Sequence, residues 1–152
     1  MTQPIAAPGM RPAQHEHLQR YLKTNGVEGH LWQSDRNPDL APVPTLILTT
    51  AGRKTGLRYL NPLIYGRAGS AYVVIASKGG APAHPSWYLN LAAGSEVDVQ
   101  VLERKFRARP RVATGSERQL LWKQMAAVFP PYDEYQQKAA GREIPVIVLD
   151  PV

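Results

Sequence analysis

Between Thr45 and Leu91 this chain places cations, glycines and hydroxyl groups at the ends of apolar segments. The first group is Gly52-Arg53-Lys54-Thr55-Gly56, the second is Ser77-Lys78-Gly79-Gly80, and Trp87-Tyr88 follow soon after. Two positive side chains in a tight turn, with backbone N–H groups left free, can hold a phosphate without any helix. Glycines after Lys78 let a ligand approach the backbone closely. A P-loop is excluded, because Leu48 and Thr49 stand where its leading glycine is needed and the turn runs on into a strand. A solvated hairpin tip or a plain loop would account for either group alone. Two such groups at successive strand ends, with aromatic surface nearby, favour a ligand carrying a phosphate and a flat ring.

Other residues narrow the chemistry. The segment Phe129-Pro130-Pro131-Tyr132-Asp133-Glu134-Tyr135 holds three aromatics in a proline-broken, acidic context, which reads as poorly placed for burial and suited to a lid or a ring-stacking wall. Lys105, Arg107, Arg109 and Arg111 fall at every second position and make one strand face basic. That face is either solvated, in contact with nucleic-acid phosphates, or a seat for an acidic ligand tail. Binding of single strands needs aromatics interleaved on the same face, and only Phe106 is near, on the opposite one, so no nucleic-acid partner is expected. His15, His17, His30 and His84 lack metal-ligand spacing, so no metal is expected. Ser77 and Lys78 are adjacent at a strand end and point to opposite sides, which excludes a Ser–Lys pair. With no cysteine, thiolate chemistry and disulfides are absent too. An enzyme built this way draws its reaction from a bound cofactor.

The elements that must position these residues follow from pattern. The 152 residues, 43% hydrophobic and 20% charged, fit one domain, and a net charge of +6 favours anionic partners. Residues 1–11 read as a disordered lead, and 12–152 as a single domain with a helix and linker over 12–43 and a barrel core over 44–152. Leu18, Tyr21 and Leu22 share a face of a helix over Pro12–Asn25. This face is small, so peripheral membrane contact is left open beside the expected cytoplasmic location. No stretch is long and apolar enough for a membrane span. Strands are expected at Thr45–Thr50, Arg58–Arg67, Ala71–Ser77, Glu96–Glu103, Phe106–Ala113 and Ile144–Leu149. Pro62 demotes the second to an edge or bulge. Arg104-Lys105 reads as the turn into the fifth strand. Helices are expected at Ser86–Ala93, at Ser116–Val128 with Leu120, Leu121, Met125 and Val128 inward, and at Tyr132–Ala140, with Gly94-Ser95 ending the first of these. Hairpin-joined strands with inserted helices indicate an α+β fold, an antiparallel barrel rather than a doubly wound parallel sheet.

The pieces TLILTTAGRKTG, LNPLIY, VVIASKGG, HPSWYLNL, FPPYDEY and IPVIVLDP, in this order from Thr45 to the end, resemble the deazaflavin (F420)-dependent nitroreductase family, whose wider relatives are flavin and deazaflavin oxidoreductases. The resemblance implies a split β-barrel of mainly antiparallel strands with an N-terminal helix. It implies coenzyme F420, a deazaflavin with a phosphate and an oligoglutamate tail that would suit the basic charge. Arg53, Lys54, Thr55 and Gly56 would hold the phosphate, and Ala76, Ser77, Lys78 and Gly79 the ring and linker. Pro62, Trp87 and Tyr88 would shape the pocket. Arg58 is included among the cofactor contacts, one residue before the family's usual arginine position, which here is Tyr59. Ser77 and Tyr132 would face the substrate, with Tyr135 near the mouth, and a hydroxyl among these three would orient the acceptor or relay a proton. The implied reaction is hydride transfer from the reduced deazaflavin to a quinone, activated alkene or nitro compound. Ile64 and Phe129 depart from the residues common among relatives and bear on acceptor choice. The alternatives are an FMN-binding reductase of the same fold and a non-catalytic carrier of a deazaflavin, haem or similar ring. The pattern does not set the oligomeric state.

Overall fold

The computed structural model describes residues 3–93, 96–139 and 141–152. Its elements are β1 (Ile5–Ala6), α1 (Pro12–Thr24), β2 (Leu31–Trp32), β3 (Val43–Ala51), β4 (Arg58–Ile64), β5 (Gly66–Ala68), β6 (Ala71–Ile75), a 3-10 turn (Lys78–Gly80), α2 (Ser86–Ala93), β7 (Val97–Val101), β8 (Arg104–Val112), α3 (Gly115–Val128), α4 (Pro131–Lys138) and β9 (Val146–Pro151). The strand order is β1-β4-β3-β7-β8-β9-β6-β5, with β2 on β3. Among the described residues only β1 and β4 pair in parallel; the other pairings are antiparallel. The stretch expected as one strand over Arg58–Arg67 changes partner at Tyr65. Up to Ile64 it pairs with β3, and from Gly66 it pairs with β6. This bend joins the two flanks of the sheet and curls it into the split barrel of an α+β fold.

Side-chain alternation divides the core. Tyr72, Val74 and Ala76 point with Ile147, Leu149, Leu46 and Leu48 into the barrel interior. Ala71, Val73 and Ile75 point the other way, with Val146 and Val148, under α3 and α4. The unbroken apolar run of β6 is thus buried on both faces. Helix α1 lays Leu18 and Tyr21, both fully buried, against Ile47 on the outer face of β3. That leaves the helix only half-buried Leu22 as an apolar face for a membrane surface, and among the described residues no helix is long and apolar enough to cross a membrane.

Several expectations are corrected. Ile5–Ala6 is not a disordered lead, since it pairs with Tyr59 and Leu60 and covers part of the β4 edge. Beyond those two residues the edge is open, which is where Pro62 is tolerated. Leu31–Trp32 is a strand inside the expected linker. The β7–β8 turn lies at Leu102-Glu103 rather than Arg104-Lys105, and Leu102, at φ 55°, has its N–H held by the Tyr21 hydroxyl at 2.9 Å. Gln100, a polar residue between Val99 and Val101, is buried because α1 covers that face, and its amide donates to Asn25 Oδ1 and Leu102 O. On α3 the buried residues are Leu121 and Met125, while Leu120 is 58% exposed and Val128 lies at the surface. Gly94, Ser95 and Ala140 lie outside the described residues.

Candidate functional site

A cavity of about 790 Å³ opens between the β3–β4 turn, the Ser77–Gly79 loop, α2, α4 and the N-terminal segment. Its size is in the range of small-molecule and cofactor sites. Of the residues expected to act together, Arg53, Lys54, Thr55, Pro62, Ser77, Lys78, Gly79, Trp87, Tyr132 and Tyr135 line it. Four do not. Gly56 closes the turn through its N–H on Gly52 O. Arg58 lies against a separate depression, where it pairs with Asp98 beside Lys105 and Arg107. Ala76 is fully buried in the barrel interior. Tyr88 packs on His84, with ring centroids 4.7 Å apart.

The basic turn is held from beneath by a residue the sequence did not single out. Asn90 shares the buried face of α2 with Trp87 and Leu91. Its Oδ1 accepts from Arg53 N at 3.1 Å and Arg53 Nη1 at 2.8 Å, and its Nδ2 donates to Thr50 Oγ1 at 3.3 Å. A lone amide in the apolar run Trp87-Tyr88-Leu89-Asn90-Leu91, at i+3 from Trp87, is the signal that could have found it. Thr55 Oγ1 accepts Leu57 N–H and meets the Tyr59 hydroxyl at 3.0 Å. A Cβ at Gly52 would stand 2.6 Å from the Tyr59 ring and 2.7 Å from Thr55 Oγ1, so a side chain there would have to displace both.

At the far side the segment Phe129–Tyr135 is a packed wall rather than an open lid. Phe129 and Tyr132 are each 4% exposed, and their rings meet edge to face at 5.1 Å. Tyr135 stands 6.2 Å from Tyr132 and is half-buried. The Trp122 indole holds α4 through Asp133 Oδ1 at 2.8 Å. The Tyr132 hydroxyl has no hydrogen-bond partner among the described residues, and burial pushes its pKa far up, with Tyr135 adding to the effect. It therefore remains a proton donor throughout the physiological range. Burial likewise raises Tyr135 and lowers His17. The His17 Nε2–H donates to Gly29 O at 2.7 Å, and its ring lies 6.4 Å from Trp32, another lining residue.

Five cations line the cavity, Arg11, Arg36, Arg53, Lys54 and Lys78, and among the described residues no carboxylate does. Arg11 is paired at the rim with Asp35. The basic face of β8 lies elsewhere, and three of its four cations have carboxylates nearby. Arg107 and Arg109 approach Glu96 at 3.4 Å each, and Arg111 binds Glu117 and Asp150. Of the readings open for that alternation, its exposed, ion-paired arginines fit the solvated face.

The model of the family described as F420H(2)-dependent quinone reductase matches residues 13–151. The chain belongs to that family. It is 39% identical over 132 residues to an F420H(2)-dependent quinone reductase of Mycobacterium tuberculosis, covering 85% of this chain and 83% of the relative. A solved F420-H2 dependent reductase (FDR-A) is 39% identical, with a TM-score of 0.65, over 70% of this chain and 94% of its own. A second solved structure, described as a domain-swapped dimer, is 35% identical with a TM-score of 0.67, over 90% of this chain and 96% of its own.

The residues present fit the family's cofactor. Ser77, Lys78 and Gly79 line the cavity and, among the described residues, their N–H groups have no acceptor. Ser77 is right-handed at φ −81°, ψ −40°, and Lys78 and Gly79 are left-handed at φ 48° and 63°. Such a succession makes a concave set of N–H donors suited to anions and carbonyl edges. Cations at the β3–β4 turn and flat apolar walls complete a site for an anionic, ring-bearing group.

Proposed function

We propose that this F420-dependent reductase holds F420 in the cavity with its phosphate at the Arg53–Thr55 turn and its ring over the Ser77–Gly79 loop, and reduces a small quinone seated against Tyr132 and Tyr135. The observation that carries this reading is the cavity lining: five cations, no carboxylate among the described residues, and, on the opposite wall, the unpartnered hydroxyl of the buried Tyr132 side chain. When bound, the reduced cofactor supplies a hydride. Arg53 and Lys54 bind the phosphate by charge, and Asn90 keeps Arg53 in place. The N–H groups at Ser77–Gly79 orient the polar edge of the ring. Trp32, Phe129 and Tyr135 exclude water and confine the acceptor, which supplies the proximity on which hydride transfer depends. The Tyr132 Oη–H donates to the acceptor oxygen where negative charge develops. The absence of cysteine is in keeping with a cytoplasmic location.

The test is a fluorescence titration with F420 beside FMN, followed by quinone reduction with chemically reduced F420 in wild type and Tyr132→Phe. Saturable binding of F420 in preference to FMN, and a fall in turnover of about tenfold or more in the variant at nearly unchanged F420 affinity, are expected. Preference for FMN would sink the cofactor assignment. Equal loss of affinity and turnover would move Tyr132 off the acceptor side.

A further inference from the structure

Arg142 lies behind the loop that carries Ser77, Lys78 and Gly79. Its Nη2 donates to Ser77 O at 2.7 Å, its Nε to Ala81 O at 2.9 Å and its Nη1 to Ala76 O at 3.1 Å, with His84 Nδ1 also 3.1 Å from Nη1. Among the described residues this guanidinium has no carboxylate partner. A cation that spends its donors on three carbonyls and an imidazole is fixing a backbone conformation.

The consequence follows from the planarity of the peptide. In a trans peptide the C=O and the N–H point in opposite directions, and no cis peptide is present among the described residues. Ala76 O shares its plane with Ser77 N–H, and Ser77 O shares its plane with Lys78 N–H. Drawing both carbonyls onto Arg142 therefore turns both N–H groups away from it. These are the N–H groups that lack an acceptor, in residues that line the cavity. Lys78 is also held at φ 48°, a region unfavourable for a residue with a side chain, and the Arg142 contacts offset that strain. The same residue reaches the acceptor wall. Arg142 O accepts from Gln136 Nε2 at 2.8 Å on α4, and Gln136 Oε1 accepts Ile144 N–H at 2.9 Å. Gly80 lies so close to α4 that a Cβ would be 2.7 Å from Tyr135 O.

We infer that Arg142 is a positioning residue, which by taking the loop carbonyls from behind presents the Ser77 and Lys78 N–H groups to the ligand and registers them against the Tyr132–Tyr135 wall. This rests on reading the cavity as the F420 site. A guanidinium fork can serve several acceptors in one plane, whereas an ammonium cannot, so charge alone does not substitute.

The experiment compares wild type, Arg142→Gln and Arg142→Lys, full length, by amide hydrogen exchange without ligand and by F420 titration. Both variants are expected to fold, with strand amides exchanging at wild-type rates. The hydrogen-bonded amides of Ala76, Gly80 and Ala81 should exchange about tenfold faster or more, and F420 affinity should fall about tenfold or more in both. Wild-type affinity or exchange in either variant would overturn the proposal. So would loss of the fold in both, since Arg142 would then be part of the structural core. If the wild type itself fails to bind F420, the cofactor reading falls, and the exchange rates alone decide the role of Arg142.

Discussion

Asn90→Ala isolates what the β3–β4 turn contributes. The substitution removes two hydrogen bonds to Arg53 and one to Thr50, at 3.1, 2.8 and 3.3 Å. Each neutral bond is worth about 1 kcal/mol net, and the longest is worth less. The Arg53 guanidinium is exposed and recovers water when released, so its bond adds little to folding stability. The sum is a loss of about 1–2 kcal/mol, which in a domain of this size lowers the melting temperature by roughly 3–8 °C. Ligand binding suffers separately. If the freed turn spends about one tenth of its time in the binding geometry, the apparent Kd for F420 rises about tenfold. The assay is a thermal melt without ligand paired with F420 fluorescence titration. A lowered melting temperature with affinity within about twofold of wild type would refute the reasoning, because the turn would then support the fold without holding the cofactor.

Gly80→Ala places a methyl against the Tyr135 carbonyl at a backbone φ of +81° and should cost about 2–3 kcal/mol, read by urea denaturation; a loss below about 0.5 kcal/mol would show that α4 yields freely. His17 and His30 have pKa values lowered by burial below their ordinary value of 6.5, so the unfolded chain takes up protons first as the pH falls. Stability is complete above about pH 6.5 and declines as the pH drops from there through the lower folded-state values. His17→Gln should flatten part of that slope in melts between about pH 7.5 and 5, and an unchanged slope would remove His17 from the account. The double variant Arg107→Ser, Arg109→Ser is expected to leave F420 affinity within about twofold, because both arginines already face Glu96; a large loss would restore the β8 ladder as a ligand seat.

Much of the barrel was legible from alternation. Ser86–Ala93 falls where the pattern puts it, and the apolar run of β6 is buried on both faces as its composition requires. What escaped were features set by contact at long range. Ile5–Ala6 carries no strand signal of its own and becomes one only because the edge of β4 is open to it. The bend at Tyr65 is invisible in a stretch that alternates evenly on both sides of it. In the site, glycines and cations announced the two loops facing the cavity. Their supports did not announce themselves, since Asn90 looks like one polar residue in an apolar helix and Arg142 like one more surface cation. The solvated reading of the β8 arginines holds, but its detail escaped. Their spacing was plain, but the carboxylates that answer them come from Glu96, Glu117 and Asp150.

The position of β9 bears on how such a chain comes to be folded as it is made. It follows every other element in sequence, yet it lies between β8 and β6 and pairs with both. Until Val146–Pro151 has left the ribosome, β6 and β8 each present an unsatisfied edge, and the barrel cannot close in the order of synthesis. Nascent chains must therefore wait, every earlier element already made, with two adhesive flanks exposed. In that interval crowding by neighbouring nascent chains is the hazard, and the yield of folded protein should depend on holdase chaperones more than on the stability of the finished barrel.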